Sequence, residues 1–311
     1  GKSMNVIKYT DACQINNGGR VCAIGFFDGV HIGHRELFSY AKHRARELGL
    51  PFCVFTFFSE NENIKKGARL YSTEEKLALI EEYGADEVIL ADFETLRSFS
   101  PEQFVFGLLI ERLNTVCAVT GSDFRFGKGA AANAADLERM MREKNREVMR
   151  VEDVLLGGEK VSTTKIKSML AAGAIKTAGE MLGSAYHTSG TVEHGNGKGA
   201  SMGFPTVNFK SENDTLLKRG VYRPATLVDG KLYPSVTNVG TCPTLGERET
   251  HSETYIIDFS SDLYGKEVTV YFLDFMREEI AFPSKDELTA QVIADINRAK
   301  KEFSDNGRKL D

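Results

Sequence analysis

At positions 21–34 the chain reads Val21-Cys22-Ala23-Ile24-Gly25-Phe26-Phe27-Asp28-Gly29-Val30-His31-Ile32-Gly33-His34. The apolar beginning of this stretch predicts a β-strand that ends at Asp28-Gly29. The apolar spacing that follows predicts a helix from about Arg35 to a left-handed stop at Gly49. Free backbone N–H groups and the positive end of the helix dipole then converge on the glycine turn. The stretch therefore predicts a strand, a turn and a helix arranged as in a phosphate site.

Two histidines three residues apart lie at this predicted site. His31 and His34 are expected to face the turn, where an imidazolium or an imidazole N–H group can hold a polyphosphate. Gly29 and Gly33 are expected to let the backbone and a ligand approach each other closely. The alternative is an ordinary connection between a strand and a helix that happens to carry two histidines.

Strand and helix patterns alternate through the rest of the first half. Further strands are predicted at 52–58, 86–92 and 116–120, and helices are predicted to start at the capping residues Ser72 and Ser100. This alternation is typical of a doubly wound parallel sheet in an α/β domain. Ligands of such sheets bind at the carboxyl ends of the strands, where the glycine turn falls.

The pattern changes near residue 184 to period-two runs separated by turns. Asp229-Gly230 is a strong hairpin signal between two of them. We predict a small six-stranded antiparallel β-barrel with a terminal helix, and domains at 1–184 and 185–311. The six strand-like runs are 190–193, 206–209, 221–228, 231–239, 253–259 and 267–275.

Two helices show apolar faces that are expected to pack on their domains. The faces are expected to consist of Leu77, Ile80 and Tyr83 in the helix after Ser72, and of Leu288, Val292, Ile296 and Phe303 in the terminal helix.

The bulk composition limits the class of protein. The chain has 311 residues and a net charge of −5, which argues against a dedicated nucleic-acid binder. No secretory signal and no apolar run of membrane length is present, so a cytoplasmic location without membrane contact is expected. The cysteines lack metal-site spacing and are expected to be free thiols in a reducing compartment. They are Cys13, Cys22, Cys53, Cys117 and Cys242.

Two further segments of the first half carry phosphate-binding chemistry. In the glycine-rich loop 121–129, Arg125 and Lys128 can supply positive charge, although a solvated basic loop is an equal alternative. At 162–165, hydroxyls followed by a lysine open a helix, which suits either ordinary capping or a triphosphate.

These first-half segments resemble known enzymes. Residues 25–34 resemble the HxGH signature of the nucleotidyltransferase superfamily and, within it, the amino-terminal half of bacterial FAD synthetases. The resemblance implies a Rossmann-like fold, catalytic roles for His31 and His34, and a flavin site lined by Asp123 and Phe124. It also implies that ATP and its phosphates contact the following residues: Gly25, Phe27, Asp28, Gly29, Gly33, Arg125, Ser162, Thr163, Thr164 and Lys165.

The second half contains a separate set of polar residues. The loop 194–199 is rich in glycine, so its backbone N–H groups can wrap phosphates. Thr206 and Asn208 are hard oxygen ligands that point the same way along a strand and suit Mg²⁺ beside ATP. Glu253 can deprotonate an alcohol at the mouth of a barrel, although a lone strand glutamate is more often solvent-exposed.

This second set resembles riboflavin kinase in order and spacing over about 120 residues. The matching segments are 203–208, 238–244, 253–254 and 262–266. The resemblance implies that Thr206 and Asn208 hold Mg²⁺ and an ATP phosphate and that Glu253 is the base on the ribityl hydroxyl. It further implies phosphate contacts from Gly195, Lys198, Gly199 and Thr206, and a flavin contact from Asn238.

Both halves together resemble the bacterial bifunctional riboflavin kinase/FAD synthetases. This implies two ATP-dependent transfers with Mg²⁺, from riboflavin to FMN and from FMN to FAD. Departures from the family pattern at 59–61, 130–132, Lys165 and Ala200 leave two alternatives open. One is a chain with a single active half, and the other is a flavin- or nucleotide-binding regulator without catalysis. The oligomeric state also stays open.

Overall fold

The structure, a computed structural model, describes residues 2–58, 68–194, 203–209, 211, 215–244 and 247–305, with the backbone alone for 241–244, 247–250 and 305. These residues form two compact units: the first holds residues up to Ser162 except 68–70, and the second holds residues 68–70 and those from Thr163 onward. The predicted division between residues 184 and 185 concerns functional domains and stays a prediction.

The first unit is built on a parallel sheet whose order is β1-β4-β3-β2-β5-β8. All seven residues of β3 are buried, as is typical of a central strand in a parallel sheet covered on both faces. The predicted doubly wound parallel sheet is confirmed. The strands of this unit are β1 Asn5–Lys8, β2 Arg20–Ile24, β3 Phe52–Phe58, β4 Glu87–Asp92, β5 Thr115–Gly121, β6 Arg125–Phe126, β7 Ala132–Asn133, β8 Glu147–Val151, β9 Leu155–Leu156 and β10 Glu159–Lys160.

Capping residues set the starts of several helices. The Ser72 hydroxyl accepts from the Glu75 N–H and the Glu75 carboxylate accepts from the Ser72 N–H, which confirms the capping box predicted for α2. The Ser100 hydroxyl likewise accepts from the Gln103 N–H at 3.1 Å where α4, a π-helix, begins. The helices of this unit are α1 Ile32–Leu48, α2 Thr73–Glu82, α3 Phe93–Leu96, α4 Gln103–Arg112 and α5 Ala134–Glu143.

The second unit is an antiparallel sheet of five strands in the order β11-β15-β12-β13-β14. The helix α7 packs against β11 and β15. The elements are α6 Thr163–Ala171, α7 Ile175–Leu182, β11 Tyr186–Thr191, β12 Gly220–Val228, β13 Lys231–Thr244, β14 Glu247–Ile256, β15 Glu267–Arg277 and α8 Lys285–Asp305.

The predicted strand at 206–209 is present only as two isolated bridges. Val207 pairs with Thr254 of β14, and Asn208 pairs with Glu193, just beyond β11. Pro205 has no N–H group to donate to a ladder, which limits pairing before Val207. In the described part of the chain the curled sheet therefore has five strands, with residues 207–208 bridging from β14 to the chain after β11.

The terminal helix α8 attaches through a partly polar face. The four predicted apolar contacts are only partly buried, whereas Asp295 and Ala299 are almost fully buried. The Asp295 carboxylate pairs with Arg277 of β15 at 2.9 Å, and Glu302 pairs with the buried Arg223 of β12 at 2.7 Å. The four predicted residues therefore contribute only part of the contact, and apolar periodicity does not register the ion pair of Asp295 at its centre.

The Arg277–Asp295 pair predicts a local effect on α8. Asp295→Ala leaves a largely buried guanidinium without its carboxylate, which costs about 3 kcal/mol. We expect amide hydrogen exchange in α8 to become about 100-fold faster while peptides of the first unit exchange unchanged. Lys300→Gln removes the exposed pair with Asp258 and should alter exchange less than about threefold. Equal exchange in the two variants would contradict this role of the pair.

Candidate functional sites

The turn after β2 adopts a left-handed backbone at several positions. The φ angles are 53° at Phe27, 88° at Gly29 and 45° at Val30, and two of these three residues are not glycine. At the two non-glycine residues, Phe27 and Val30, this conformation costs about 1–3 kcal/mol each and persists only where surrounding contacts hold it. One such contact is the bond from the Arg35 Nε atom to the Val30 carbonyl at 2.8 Å.

His31 caps the amino-terminal end of α1. Its Nδ1 atom accepts hydrogen bonds from the N–H groups of Gly33 at 3.1 Å and His34 at 3.3 Å. Because Nδ1 is an acceptor, the proton of the neutral ring lies on Nε2, which leaves an N–H donor for a ligand. Because His31 caps the helix, α1 begins at Ile32, three residues before the predicted start near Arg35.

Gly33 is needed for the His31 ring, whereas the predicted reason was close approach of the backbone to a ligand. A Cβ atom at Gly33 would lie 2.9 Å from the Cε1 atom of His31, so the missing side chain leaves space for the capping ring. Gly25 similarly leaves space for the Phe27 ring, which a Cβ atom would meet at 3.0 Å. Two of the predicted phosphate-site glycines thus shape the side chains around the turn.

The two histidines form a stacked pair with lowered pKa values. Their ring centroids are 3.5 Å apart, and the Phe27 ring meets His34 edge-on at 5.2 Å. Burial, together with the charges of Arg35 and Lys160, lowers the pKa of His31 to about 4. Burial, then His31 and Lys76, lowers the pKa of His34 well below its usual range. At neutral pH both rings are therefore N–H donors rather than imidazolium ions.

One buried ring nitrogen at this site has no hydrogen-bond partner within the described chain, namely Nδ1 of His34. Such an atom is costly unless water or a ligand satisfies it. Asp28 is half-buried in the same turn.

The loop after β5 presents both aromatic and charged groups. Asp123 forms an ion pair with Lys160 of β10, and this bond lowers the pKa of the carboxyl group. Lys160 also lies 3.3 Å from Asp153. Phe124 is half-buried and stacks on Phe126 at 5.7 Å. The predicted flavin residues Asp123 and Phe124 therefore lie on a surface loop that Lys160 connects to β10.

The predicted cations and hydroxyls occupy accessible positions. Arg125 is exposed and its Nη1 atom donates to the Ala130 carbonyl at 3.2 Å. Ser162 directly precedes α6, and Thr163, Thr164 and Lys165 form the first turn of α6 in the second compact unit. These residues stand at a helix start, as predicted.

Sequence reasoning missed two lysines of the first unit. Lys76 of α2 is 4% exposed and donates to the Phe26 and Phe57 carbonyls at 3.1 and 2.9 Å. Its burial beside Leu79 and Ile80 shows that the apolar face predicted for α2 was rotated, since Leu77 is only half-buried. The spacing of Lys76 from Leu79 and Ile80 was the available signal. No sequence signal pointed to Lys160, because its partner Asp123 is distant in sequence.

In the second unit the structure brings several predicted kinase residues together. Asn238 of β13 stands directly opposite Glu253 of β14. Asn208 is 4% exposed, and its Oδ1 atom lies 3.1 Å from Nε2 of His251, which is 3.8 Å from the Glu253 carboxylate. Sequence reasoning missed His251, whose period-two spacing from Glu253 places both on one face of β14.

Thr206 lies half-buried two residues before Asn208, whereas Gly195, Lys198 and Gly199 lie outside the described residues. The Asn208 amide and the Thr206 hydroxyl are oxygen donors of the kind that a hard cation binds, and Asn208 lies near the Glu253 carboxylate through His251. No cluster of three or more histidine, cysteine and acidic side chains suited to a metal ion occurs among the described residues.

Two further properties concern the whole described chain. None of the helices in the described ranges is both long and apolar enough to cross a membrane. Cys13, Cys22, Cys53 and Cys117 are free thiols, and burial raises the pKa of the Cys117 thiol to about 12.

The two halves match different family models. Residues 13–165 match the model of FAD synthetase, and residues 182–303 match the model of riboflavin kinase. Each match contains one of the two polar sites described above.

Similar proteins cover nearly the whole chain. The bifunctional riboflavin kinase/FMN adenylyltransferase of Haemophilus influenzae is 33% identical over 93% of this chain and 98% of its own length. The Escherichia coli K12 protein of the same name is 33% identical over 93% and 95%. A crystal structure described as a macrolide-efflux protein from Streptococcus pneumoniae is 31% identical, covers 96% and 98%, and superposes with a TM-score of 0.84. The chain therefore belongs to the family of bifunctional riboflavin kinase/FMN adenylyltransferases.

Proposed function

We propose that the chain phosphorylates riboflavin to FMN with one ATP and adenylylates FMN to FAD with a second. The observation that carries the proposal is that each family match contains its own polar site, at His31 in one and at Glu253 in the other. We assign adenylyl transfer to residues 1–184 and the kinase to residues 185–311, with riboflavin, FMN and ATP as ligands.

In adenylyl transfer, an oxygen of the FMN phosphate attacks the α-phosphorus of ATP, and the bond from that phosphorus to the bridging oxygen breaks to release pyrophosphate. The neutral rings of His31 and His34 donate N–H groups to phosphate oxygens. Because the N–H groups of Gly33 and His34 are bonded to Nδ1 of His31, α1 contributes the positive end of its dipole rather than these donors. Positioning and stabilisation of negative charge suffice for such a transfer.

Other residues bind the two substrates in this proposal. Asp123 and Phe124 contact the flavin, an assignment supported by their accessibility on the loop after β5. The residues proposed for ATP and its phosphates are Gly25, Phe27, Asp28, Gly29, Gly33, Arg125, Ser162, Thr163, Thr164 and Lys165.

In the kinase, Glu253 accepts the proton of the ribityl 5′-hydroxyl as its oxygen attacks the γ-phosphorus of ATP, and ADP leaves. Thr206 and Asn208 hold Mg²⁺, which when bound neutralises phosphate charge. Asn238 contacts the flavin, an assignment supported by its place opposite Glu253. Gly195, Lys198, Gly199 and Thr206 contact ATP phosphates.

We further propose that this domain is a closed six-stranded barrel, which is supported by the two bridges that residues 207–208 form. A cytoplasmic location is supported by the four free thiols. The net charge of −5 supports substrates rather than nucleic acid as the partners.

Two substitutions of His31 distinguish its role as the cap of α1 from its role as an N–H donor to phosphate. His31→Asn keeps an oxygen that can cap α1 but removes the Nε2–H group, whereas His31→Ala removes both. We expect both variants to lose FAD formation from FMN by at least about 100-fold. Stability should fall by about 1 kcal/mol in the alanine variant alone. FMN formation from riboflavin in the same chain is the internal control, and normal FAD synthesis by both variants would refute the assignment.

Glu253→Gln tests the other half. The amide cannot accept the hydroxyl proton, so FMN formation from riboflavin should fall by about 100-fold or more. Adenylylation of added FMN should continue at its normal rate. Glu267→Gln, which changes an exposed strand glutamate of β15, is the matched control. Retention of kinase activity by Glu253→Gln would exclude Glu253 as the base.

The low pKa of His31 predicts acid sensitivity of the ligand-free chain. In the unfolded chain histidine binds a proton near pH 6.5, whereas folded His31 does so only at about pH 4. Its contribution to stability is therefore complete above pH 6.5 and is lost as the pH falls toward 4. Between pH 7 and 4.5 the loss is about 2.5 kcal/mol. Urea denaturation should show a smaller loss for His31→Asn than for the unmodified chain, and equal losses would contradict the prediction.

A further inference from the structure

The buried side chain of Lys76 joins the carboxyl ends of two neighbouring strands. Its Nζ atom donates to the carbonyls of Phe26 at 3.1 Å and Phe57 at 2.9 Å, and lies 3.3 Å from Oγ1 of Thr56. The Thr56 hydroxyl also donates to the Phe26 carbonyl at 3.0 Å. Phe26 lies two residues after the end of β2 and Phe57 is in β3, so the ammonium group connects the carboxyl ends of these two neighbouring strands.

The Phe26 carbonyl belongs to the peptide group that enters the left-handed turn. This peptide links Phe26 to Phe27, whose φ angle is 53° although it carries a bulky side chain. A residue in that conformation relaxes toward the extended region unless its neighbouring peptide groups are held. Two hydrogen bonds to the Phe26 oxygen, from Lys76 and from Thr56, supply that restraint immediately before the turn that presents His31.

Lys76 lies in the first turn of α2, whose start is fixed by a capping box. The capping box of Ser72 and Glu75 orients the first turn of α2, and the Lys76 N–H donates to the Ser72 carbonyl at 2.9 Å. At 4% exposure its ammonium group acts in a medium of lower effective dielectric constant than water. Burial is the main cause of the lowered pKa of His34, and the charges of His31 and then Lys76 add to it.

We propose that Lys76 is a positioning residue of adenylyl transfer, which holds the turn 27–30 in its left-handed form and adds positive potential where the ATP phosphates bind. The inference rests on the proposed function of the first site. In this role Lys76 contacts the backbone rather than the substrate. Loss of Lys76 therefore weakens ATP and pyrophosphate binding together with the rate, and leaves the flavin side of the reaction unaffected.

The test is a comparison of Lys76→Met with Lys42→Met. Lys42 of α1 donates to the Tyr83 carbonyl at 3.3 Å, away from the turn, so its loss controls for removal of a lysine from a similar carbonyl contact. For Lys76→Met we expect a rise of about tenfold in KM for ATP and a fall of about tenfold in kcat during FAD formation. KM for FMN, and FMN formation from riboflavin, should change less than about threefold. Lys42→Met should behave like the unmodified chain.

A purely structural role predicts a different pattern. Partial unfolding lowers the amount of active enzyme and hence kcat, but leaves KM for ATP unchanged, and that result would overturn the proposal. Unchanged kinetics in Lys76→Met would also overturn it. If Lys76→Met does not fold, Thr56→Val removes one hydroxyl from the same contact at nearly equal volume. It should lower kcat/KM for ATP about fivefold, with a smaller rise in KM of about twofold to threefold, and an unchanged KM would count against the proposal.

Binding of pyrophosphate separates this proposal from the proposed function. If the unmodified chain formed no FAD, the assigned activity would be contradicted. Calorimetric titration with pyrophosphate and Mg²⁺ would still compare the unmodified chain with Lys76→Met. A loss of affinity of about tenfold supports the positioning role, and equal affinities overturn it.

Discussion

The ring of His31 closes the amino-terminal end of α1, and the geometry of the first site depends on this cap. Because Nδ1 accepts from the backbone N–H groups of Gly33 and His34, the ring has one orientation and one tautomer. Space for the ring exists only because Gly33 lacks a side chain. A helix start that elsewhere uses a serine or aspartate cap thus carries a neutral N–H donor into the region of its own dipole.

The two sites differ in which of their groups carry charge. In the first unit, burial keeps both histidines neutral, and Lys76 supplies positive charge next to the turn, whereas the charge of Lys160 is paired with Asp123 and Asp153. In the second unit, Glu253 is about one quarter exposed and lies beside His251, near the buried amide of Asn208. One arrangement suits binding of phosphate oxygens, and the other suits acceptance of a proton from an alcohol.

Local patterns predicted much of this correctly, and non-local contacts account for what they missed. The capping box at Ser72 and the buried strand β3 depend on residues close in sequence, and both were predicted. Lys76 and His251 were missed, because their partners Phe57 and Asn208 come from other elements.

The same distinction concerns one predicted strand that the structure shows only in part and one helix face whose central residue was missed. Residues 206–209 have the alternation of a strand, but their pairing is limited to two bridges on opposite sides. In α8, hydrophobic periodicity favoured Leu288 and Val292, whereas the buried centre of the contact is Asp295 with its partner Arg277. The periodicity of apolar residues identifies an apolar helix face, but it does not identify a buried ion pair.

Chromatographic analysis of the products of the unmodified chain tests the central claim most directly. With ATP and Mg²⁺ present, riboflavin should be converted first to FMN and then to FAD, and added FMN should be converted to FAD with release of pyrophosphate. Formation of FMN without FAD would contradict the assignment of adenylyl transfer to the first site. Formation of FAD from FMN alone, with riboflavin left unchanged, would contradict the assignment of the kinase to the second.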